Sequence, residues 1–126
     1  MSDRRRTILI VEDDEDLRRL FRTTLSLDGF DVVEAGDGME ALRWIDHSPP
    51  DLVILDLLLP RVSGLVVQQE IAAQAVTREI PIVVITGSTI TEEELNVACF
   101  LRKPVAPNQL VTAVRNCLAS GSKTAS

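Results

Sequence analysis

The chain has 126 residues, a net charge of −6 and a hydrophobic fraction of 45%, with 3% aromatic residues. This length suits one domain with a single aliphatic core, and the acidic charge argues against a nucleic-acid partner, because phosphate backbones bind through accumulated Lys and Arg. The N-terminus lacks an apolar stretch of signal-peptide length, and no window reaches the roughly 18 apolar residues of a membrane span. We therefore expect a cytoplasmic protein with no membrane partner.

Short apolar runs alternate with amphipathic stretches along the chain, which is typical of parallel strands covered by helices on both faces. The runs predict strands at residues 8–11, 30–34, 52–56, 82–85 and 100–102. Helices are predicted after Asp14, after Asp37, over 65–76, over 92–98 and after Pro107. We therefore predict an α/β fold, a doubly wound five-stranded parallel sheet in the common order 2-1-3-4-5 with helices on both faces.

Capping residues mark the predicted helix boundaries. Asp14 precedes the first amphipathic stretch, and Gly29 is placed to end that helix in a left-handed turn. Asp37, with Glu40 three positions later, fits a capping box at the start of the second helix. We therefore interpret Asp14 as a helix cap rather than as a ligand.

Polar side chains follow four of the predicted strands. Glu12 and Asp13 follow the first strand, and Asp56 closes the run DLVILD of residues 51–56. Thr86 closes the fourth strand, and Lys103 follows the fifth. Ligands of doubly wound sheets bind beyond the carboxyl ends of the strands, at the switch point between strands one and three in this order. The topology therefore predicts that the three carboxylates converge.

Three neighbouring carboxylates repel one another, by about 4 kcal/mol per pair at about 4 Å and an effective dielectric of about 20. An all-oxygen ligand set without Cys or His favours a hard cation to offset this repulsion, and few protein ligands with room for water favour Mg²⁺ over Ca²⁺. A divalent ion beside a strand-end Asp indicates phosphoryl chemistry, with Asp56 as the covalent acceptor. The plainer interpretation of Glu12 and Asp13 is that they are first-turn acids favoured by a helix dipole.

Lys103 stands out because the chain has two lysines against eleven arginines, and the other lysine is at position 123. Lysine offers a compact charge that reaches one carboxylate or phosphoryl oxygen without a bidentate fork. Thr86 supplies a hydroxyl for an acquired phosphoryl oxygen, and its plainer interpretation is a residue that favours strands. Lys103 therefore suits the cationic role in such a site.

Four runs in this order resemble the CheY-like receiver domain of two-component response regulators. They are residues 8–14 (ILIVEDD), 50–56 (PDLVILD), 84–87 (VITG) and 100–104 (FLRKP). The resemblance covers about residues 7–118 and implies the flavodoxin-like form of the doubly wound sheet. It also implies a set of functional residues and partners.

For the metal, the resemblance implies that Asp13 and Asp56 bind Mg²⁺ directly, together with the backbone carbonyl of Leu58. Glu12 would act mainly through a water molecule on the metal. Asp56 would be the phosphoacceptor.

For the response, the resemblance implies that Thr86 and Lys103 contact the phosphoryl group, that the Lys103–Pro104 bond is cis, and that Phe100 turns inward on activation. The family takes phosphate from a histidine kinase or a histidine phosphotransfer protein, loses it by hydrolysis and acts on a downstream protein. The chain would then be no ordinary enzyme, because it would catalyse only its own phosphorylation and dephosphorylation.

Two other functions compete with this interpretation. The first is a receiver-shaped interaction module that never needs phosphate, and the complete set of site residues argues against it. The second is a phosphatase of the haloacid dehalogenase type, which also uses a strand-end aspartyl nucleophile and Mg²⁺. That class has Asp-x-Asp at its nucleophile, whereas position 58 is Leu here, so the general acid is missing.

The stretch between Thr86 and Lys103 departs from the family, because its 17 positions are fewer than family members usually have. The 13 residues from 87 to 99 must hold both loops and the crossover, and a parallel crossover needs about a dozen residues. We therefore predict a shortened fourth helix, over roughly 92–98. Relatives often dimerise through this region, so we expect a monomer or a weak dimer. We predict an N-terminal arm at 1–6, a receiver domain at 7–119 and a flexible tail at 120–126.

Overall fold

The computed structural model describes residues 5–87, 89, 97 and 99–121. The strands in these residues are β1 (Thr7–Val11), β2 (Asp31–Ala35), β3 (Leu52–Leu55), β4 (Ile82–Thr86) and β5 (Cys99–Arg102). The helices are α1 (Glu15–Leu27), α2 (Gly38–His47), α3 (Gly64–Ala73) and α4 (Pro107–Gly121), the last of which follows β5. The strands form one parallel sheet in the order β2-β1-β3-β4-β5. This order confirms the predicted doubly wound, flavodoxin-like fold.

The short helix predicted over residues 92–98 lies outside the described residues, apart from Val97. Val97 belongs to no helix or strand and packs against the core. The predicted shortening of the crossover between β4 and β5 therefore stays a prediction.

The sheet separates two apolar clusters, because successive strand residues point to opposite faces. On one face the strands pack against α2 and α3, through residues that include Leu9, Val53, Val84, Ile45 and Ile71. On the other face they pack against α1 and α4, through residues that include Ile8, Ile54, Ile85, Phe21 and Leu110. Every position of β3 and β4 is buried. Polar side chains on these two strands are therefore confined to the strand ends.

Helix α1 has the caps that its sequence predicts at both ends. The Asp14 side chain accepts hydrogen bonds from the backbone N–H groups of Asp16 and Leu17, so Asp14 is an N-cap as predicted. Gly29 has a φ of 97°, and the N–H of Phe30 donates to the carbonyl of Leu25 at 3.1 Å. This is the Schellman pattern. Because Phe30 caps the helix, β2 begins at Asp31, one residue later than predicted.

Helix α3 ends at Ala73, three residues before the predicted end at position 76. Thr77 is buried, and its hydroxyl donates to the carbonyl of Ile71 at 2.8 Å. The chain therefore turns back beneath the last turn of the helix, and the prediction of a longer helix was wrong.

Candidate functional site

The ends of β1 and β3 lie side by side at one edge of the sheet. Val11 pairs with Leu55, so the residues that follow these strands are neighbours. The N–H of Asp56 donates to the carbonyl of Val11 at 3.0 Å, and that of Glu12 donates to the carbonyl of Ala35 at 3.1 Å. The backbone ladder therefore fixes both acidic residues where they leave the sheet.

The three predicted carboxylates come together at this edge. Glu12, Asp13 and Asp56 each offer an oxygen atom, and these oxygens lie within 4.8 Å of one another. Glu12 is 2% exposed and Asp56 4% exposed, whereas Asp13 is exposed to solvent. The predicted convergence is therefore confirmed, with one of the three acids facing solvent.

Lys103 reaches this acid cluster from the end of β5. Its Nζ lies 2.8 Å from Oδ2 of Asp56 and 2.9 Å from Oε1 of Glu12. The backbone N–H of Lys103 donates to the carbonyl oxygen of Thr86 at 3.1 Å. The Lys103–Pro104 peptide bond is cis, as predicted. The ammonium therefore contacts the two buried carboxylates at once.

The pKa values of Glu12 and Lys103 reflect this shared environment. Burial raises the pKa of Glu12 above its ordinary value of 4.5, while hydrogen bonds from Lys103 and from the Asp14 N–H oppose the rise. Burial alone would lower the pKa of Lys103, but its hydrogen bonds to Asp56 and Glu12 raise it above 10.5. At neutral pH the charged ammonium therefore stabilises the carboxylates that burial disfavours.

Both oxygens of Asp56 have a protein donor. Oδ1 accepts a hydrogen bond from the N–H of Leu58 at 3.1 Å, and Oδ2 accepts the one from Lys103. A carboxylate oxygen has two lone pairs, so each keeps one for a metal ion or for a bond to phosphorus. The backbone of Leu58 lies beside Asp56, and its carbonyl stays a predicted ligand.

Two glycines position the loop that follows Asp56. A Cβ on Gly64 would lie 2.4 Å from the carbonyl oxygen of Asp56, and one on Gly38 would lie 2.1 Å from the carbonyl oxygen of Val62. Carbon and oxygen atoms that are not bonded do not approach so closely, so neither position accepts a side chain. The predicted helix began at residue 65, which left Gly64 in the preceding loop, and a glycine at the start of a helix eight positions after Asp56 was the signal that this prediction missed.

Thr86 and Phe100 lie on the β4 and β5 side of the site. Thr86 is fully buried and pairs with Arg102 in the sheet register. Phe100 is half-buried and packs against the apolar cluster shared with α2 and α3. The guanidinium carbon of Arg102 lies 5.1 Å from the centroid of the Phe100 ring, within the range of a cation–π contact.

The chemistry of the donor set fits a divalent cation. Glu12, Asp13 and Asp56 bring three carboxylates together, and Lys103 is the basic side chain in ion-pair contact with them among the described residues. The site thus carries more negative than positive charge. Oxygen ligands of this kind suit a hard ion, so the acidic cluster can hold a metal.

The fold and the strand-end cluster together define a receiver-type signalling domain. The family model for the response regulator receiver domain matches residues 8–115. The chain therefore belongs to the response regulator receiver domain family, and it is a phosphoacceptor receiver of two-component signalling.

Two curated proteins and one solved structure illustrate the similarity. The chain is 35% identical over 124 residues to the probable transcriptional regulator ycf27 of Porphyridium aerugineum, covering 94% of this chain and 50% of that protein. It is 36% identical over 120 residues to the DNA-binding response regulator MtrA of Mycobacterium tuberculosis, covering 91% of this chain and 51% of that protein. The chain thus spans about half the length of the curated relatives that it matches.

The solved structure is the signal receiver domain of a signal transduction histidine kinase from Syntrophus aciditrophicus. The two chains are 27% identical, 94% of each is covered, and the TM-score is 0.86.

Proposed function

We propose that Asp56 accepts a phosphoryl group from a histidine kinase or a histidine phosphotransfer protein and later loses it by hydrolysis. One observation carries this assignment: Asp56 directly follows β3, is buried, contacts Lys103 and shares a cluster with Glu12 and Asp13. It lies at the switch point of the sheet, where doubly wound folds bind ligands.

In the transfer step, an oxygen of Asp56 forms a bond to phosphorus while the phosphorus–nitrogen bond of a phosphohistidine breaks. The imidazole nitrogen keeps the bonding electrons and then takes up a proton. Lys103 lies 2.8 Å from Oδ2 of Asp56, so its ammonium balances negative charge on the transferring oxygens. In the later hydrolysis step, a water oxygen bonds to phosphorus while the bond between phosphorus and the Asp56 oxygen breaks; the Asp56 carboxylate keeps the bonding electrons, and inorganic phosphate carries away the protons of the water.

Asp13 and Asp56 would hold Mg²⁺ directly, with the carbonyl of Leu58, and the ion would neutralise charge on the phosphoryl oxygens. Glu12 suits an indirect role. Its Oε1 contacts Lys103 at 2.9 Å, and its Oε2 accepts from the N–H of Asp14 at 3.1 Å. Asp13 is the exposed member of the cluster, which leaves its carboxylate accessible to an ion from solvent.

The response would pass through Thr86 and Phe100 to a surface that binds a downstream protein. The burial of Thr86 at the end of β4 and the half-buried ring of Phe100 on β5 support this route.

The chain would act as a monomer or weak dimer in the cytoplasm and catalyse only its own phosphorylation and dephosphorylation. Among the described residues, no helix has both the length and the apolar character of a membrane span.

Intact mass spectrometry tests the assignment. Incubation with acetyl phosphate and Mg²⁺ should add one phosphoryl group to the wild type and none to Asp56→Asn. Asp51→Asn is the matched control, because Asp51 precedes the same strand and its Oδ2 accepts from the N–H of Thr7 at 2.7 Å, so this variant should label like the wild type. Labelling of Asp56→Asn, or equal labelling of the wild type in excess chelator, would refute the proposal.

A further inference from the structure

Arg18 is a second basic residue that contacts the acid site, and it does so through the backbone. This residue lies on α1, and its Nη1 donates to the carbonyl oxygen of Glu12 at 2.7 Å. Its Nε donates to Oε1 of Glu34 at 2.9 Å. We propose that Arg18 is a positioning residue for the metal site, which holds the peptide unit between Glu12 and Asp13 in the orientation that the cation requires. This inference rests on the metal site of the proposed function.

The peptide bond between Glu12 and Asp13 links the Arg18 contact to the metal site. The carbonyl of Glu12 and the N–H of Asp13 belong to one planar unit, so a donor on that carbonyl also fixes the backbone of Asp13. Among the described residues, the Asp13 side chain makes no hydrogen bond or ion pair of its own. The position of this exposed carboxylate therefore depends on the backbone that carries it, which Arg18 holds on one side and the β1 to β2 ladder on the other.

The guanidinium of Arg18 is itself held in place. Its side chain is 17% exposed, and its partner Glu34 accepts a further hydrogen bond from Nη1 of Arg22 at 2.8 Å. The carbonyl of Glu34 accepts from Nε1 of Trp44 at 3.1 Å. A Cβ on Gly36 would lie 3.4 Å from Nη1 of Arg18, so the guanidinium passes close over a residue without a side chain. The contact to Glu12 is thus part of a packed network.

The charge of Arg18 and its hydrogen bond to the Glu12 carbonyl predict opposite changes in metal affinity when Arg18 is replaced. A guanidinium near a cation site repels the cation, so the loss of its charge alone would tighten metal binding. The loss of an outer contact that orients a metal ligand instead weakens binding, by about 10-fold to 100-fold in other metal sites. The sign of the change therefore separates the two accounts.

Arg22 provides a matched control on the same helix. It has the same charge as Arg18 and bonds to the same Glu34 carboxylate, but it is more exposed, at 58%, and does not reach Glu12. Replacement of either arginine by Met removes one positive charge and retains much of the apolar stem. The difference between the two variants isolates the hydrogen bond to the Glu12 carbonyl.

Isothermal titration calorimetry with Mg²⁺ and amide NMR of the metal-free and metal-loaded protein provide the test. Arg18→Met should weaken Mg²⁺ binding by about 10-fold or more and shift the Asp13 amide before metal is added. Arg22→Met should bind Mg²⁺ as the wild type does or slightly more tightly. Wild-type or tighter binding by Arg18→Met would overturn the inference while leaving the metal site intact.

Two further results keep the test decisive. Absence of Mg²⁺ binding by the wild type would overturn the metal site itself and this inference with it. If Arg18→Met does not fold, Arg18→Lys carries the test, because lysine keeps the positive charge but lacks the planar fork that bonds to the Glu12 carbonyl and the Glu34 carboxylate together. That variant should also bind Mg²⁺ more weakly than the wild type, and wild-type affinity would overturn the inference.

Discussion

The two sides of the site differ in how their residues are held. The acid rim, which consists of Glu12, Asp13 and Asp56, follows β1 and β3 in the middle of the sheet, where the strand residues from Ile8 to Val11 and from Leu52 to Leu55 are buried. The response rim consists of Thr86, which ends β4, Phe100, which lies on β5, and Lys103, which follows β5. Strand β5 is at the edge of the sheet, and none of its four residues is fully buried.

This difference separates a rim suited to fixed geometry from one suited to movement. Backbone bonds and the close approach of Gly64 hold Asp56, so small changes there should disturb the fold as well as the chemistry. The half-buried Phe100 has only a partial shell of neighbours, so its side chain can change position at a lower free-energy cost. Substitutions in the two rims should therefore have different consequences.

Gly64→Ala should have the largest effect on stability. The added Cβ would lie 2.4 Å from the Asp56 carbonyl oxygen and 2.5 Å from the Leu57 Cα, so backbone atoms must move. We expect a loss of about 3 kcal/mol in the free energy of unfolding and slower labelling by acetyl phosphate, because the acceptor is displaced. Urea denaturation and timed mass spectrometry measure the two effects.

Gly87→Ala is the control next to the response rim, because Gly87 directly follows Thr86. A Cβ there meets no described atom within 4 Å, so the free energy of unfolding should stay within about 0.5 kcal/mol of the wild type. Equal stability of the two alanine variants would contradict the idea of a rigid acid rim.

Lys103→Arg should uncouple phosphorylation from its structural consequence. Arginine keeps the positive charge, but its planar fork does not reproduce the single ammonium that contacts Asp56 and Glu12 at 2.8 and 2.9 Å. Asp56 should still become phosphorylated, while the phosphorylation-dependent NMR shifts around Thr86 shrink. Shifts as large as those of the wild type would show that the role assigned to Lys103 is wrong.

The stability of the protein should carry a pH dependence that comes from Glu12. Because burial raises the pKa of Glu12 above 4.5, the folded state binds this proton more tightly than the unfolded chain does. Ionisation of Glu12 therefore lowers the free energy of unfolding as the pH rises from 4.5 through the pKa of Glu12 in the folded state. Below pH 4.5 Glu12 is protonated in both states, and this loss of stability is absent. Relative to Glu12→Gln, the wild type should lose stability across that window.

Urea titrations of both proteins without metal, at several pH values from 4 upward, measure this difference. A constant gap between the two unfolding free energies would contradict it. Lys103 should give the stability a second pH dependence, at alkaline pH. Its pKa in the folded state is raised above 10.5, so its contribution to stability is complete below pH 10.5 and is lost as the pH rises through the folded pKa.

Arg102→Met should have a small effect on stability. The guanidinium lies 5.1 Å from the Phe100 ring centroid, and a cation–π contact at an exposed site contributes about 0.5 to 1 kcal/mol. We expect a loss of that size in thermal or urea unfolding, with a shift of the Phe100 ring resonances. A loss of several kcal/mol would mean that β5 is held as firmly as β3.

The sequence was sufficient to predict the contacts that follow from topology. Once apolar runs alternate with amphipathic stretches, the parallel order places Glu12 beside Asp56, because the carboxyl ends of adjacent strands meet at one edge. Lys103 was predictable from its position after the last strand and from the scarcity of lysine in the chain. These predictions needed no knowledge of side-chain conformation.

Other contacts were not predictable, because they depend on how separate segments approach one another. Arg18 reaches the Glu12 carbonyl only after α1 has packed beside β2, and helical periodicity does not show where a long side chain ends. The close approach of Gly64 to Asp56 depends on the path of the intervening loop. The early end of α3 depends on the buried hydroxyl of Thr77. Nothing in the sequence distinguishes Thr77 from the other threonines.

Chemical location of the phosphoryl group tests the central claim most directly. Borohydride reduces an acyl phosphate to a primary alcohol, which converts a phosphorylated aspartate to homoserine. After treatment with acetyl phosphate, Mg²⁺ and then borohydride, peptide mass spectrometry should find homoserine at position 56 and at no other aspartate. Homoserine at Asp13 or Asp51, or unmodified Asp56 in a protein that carries a phosphoryl group, would contradict the account.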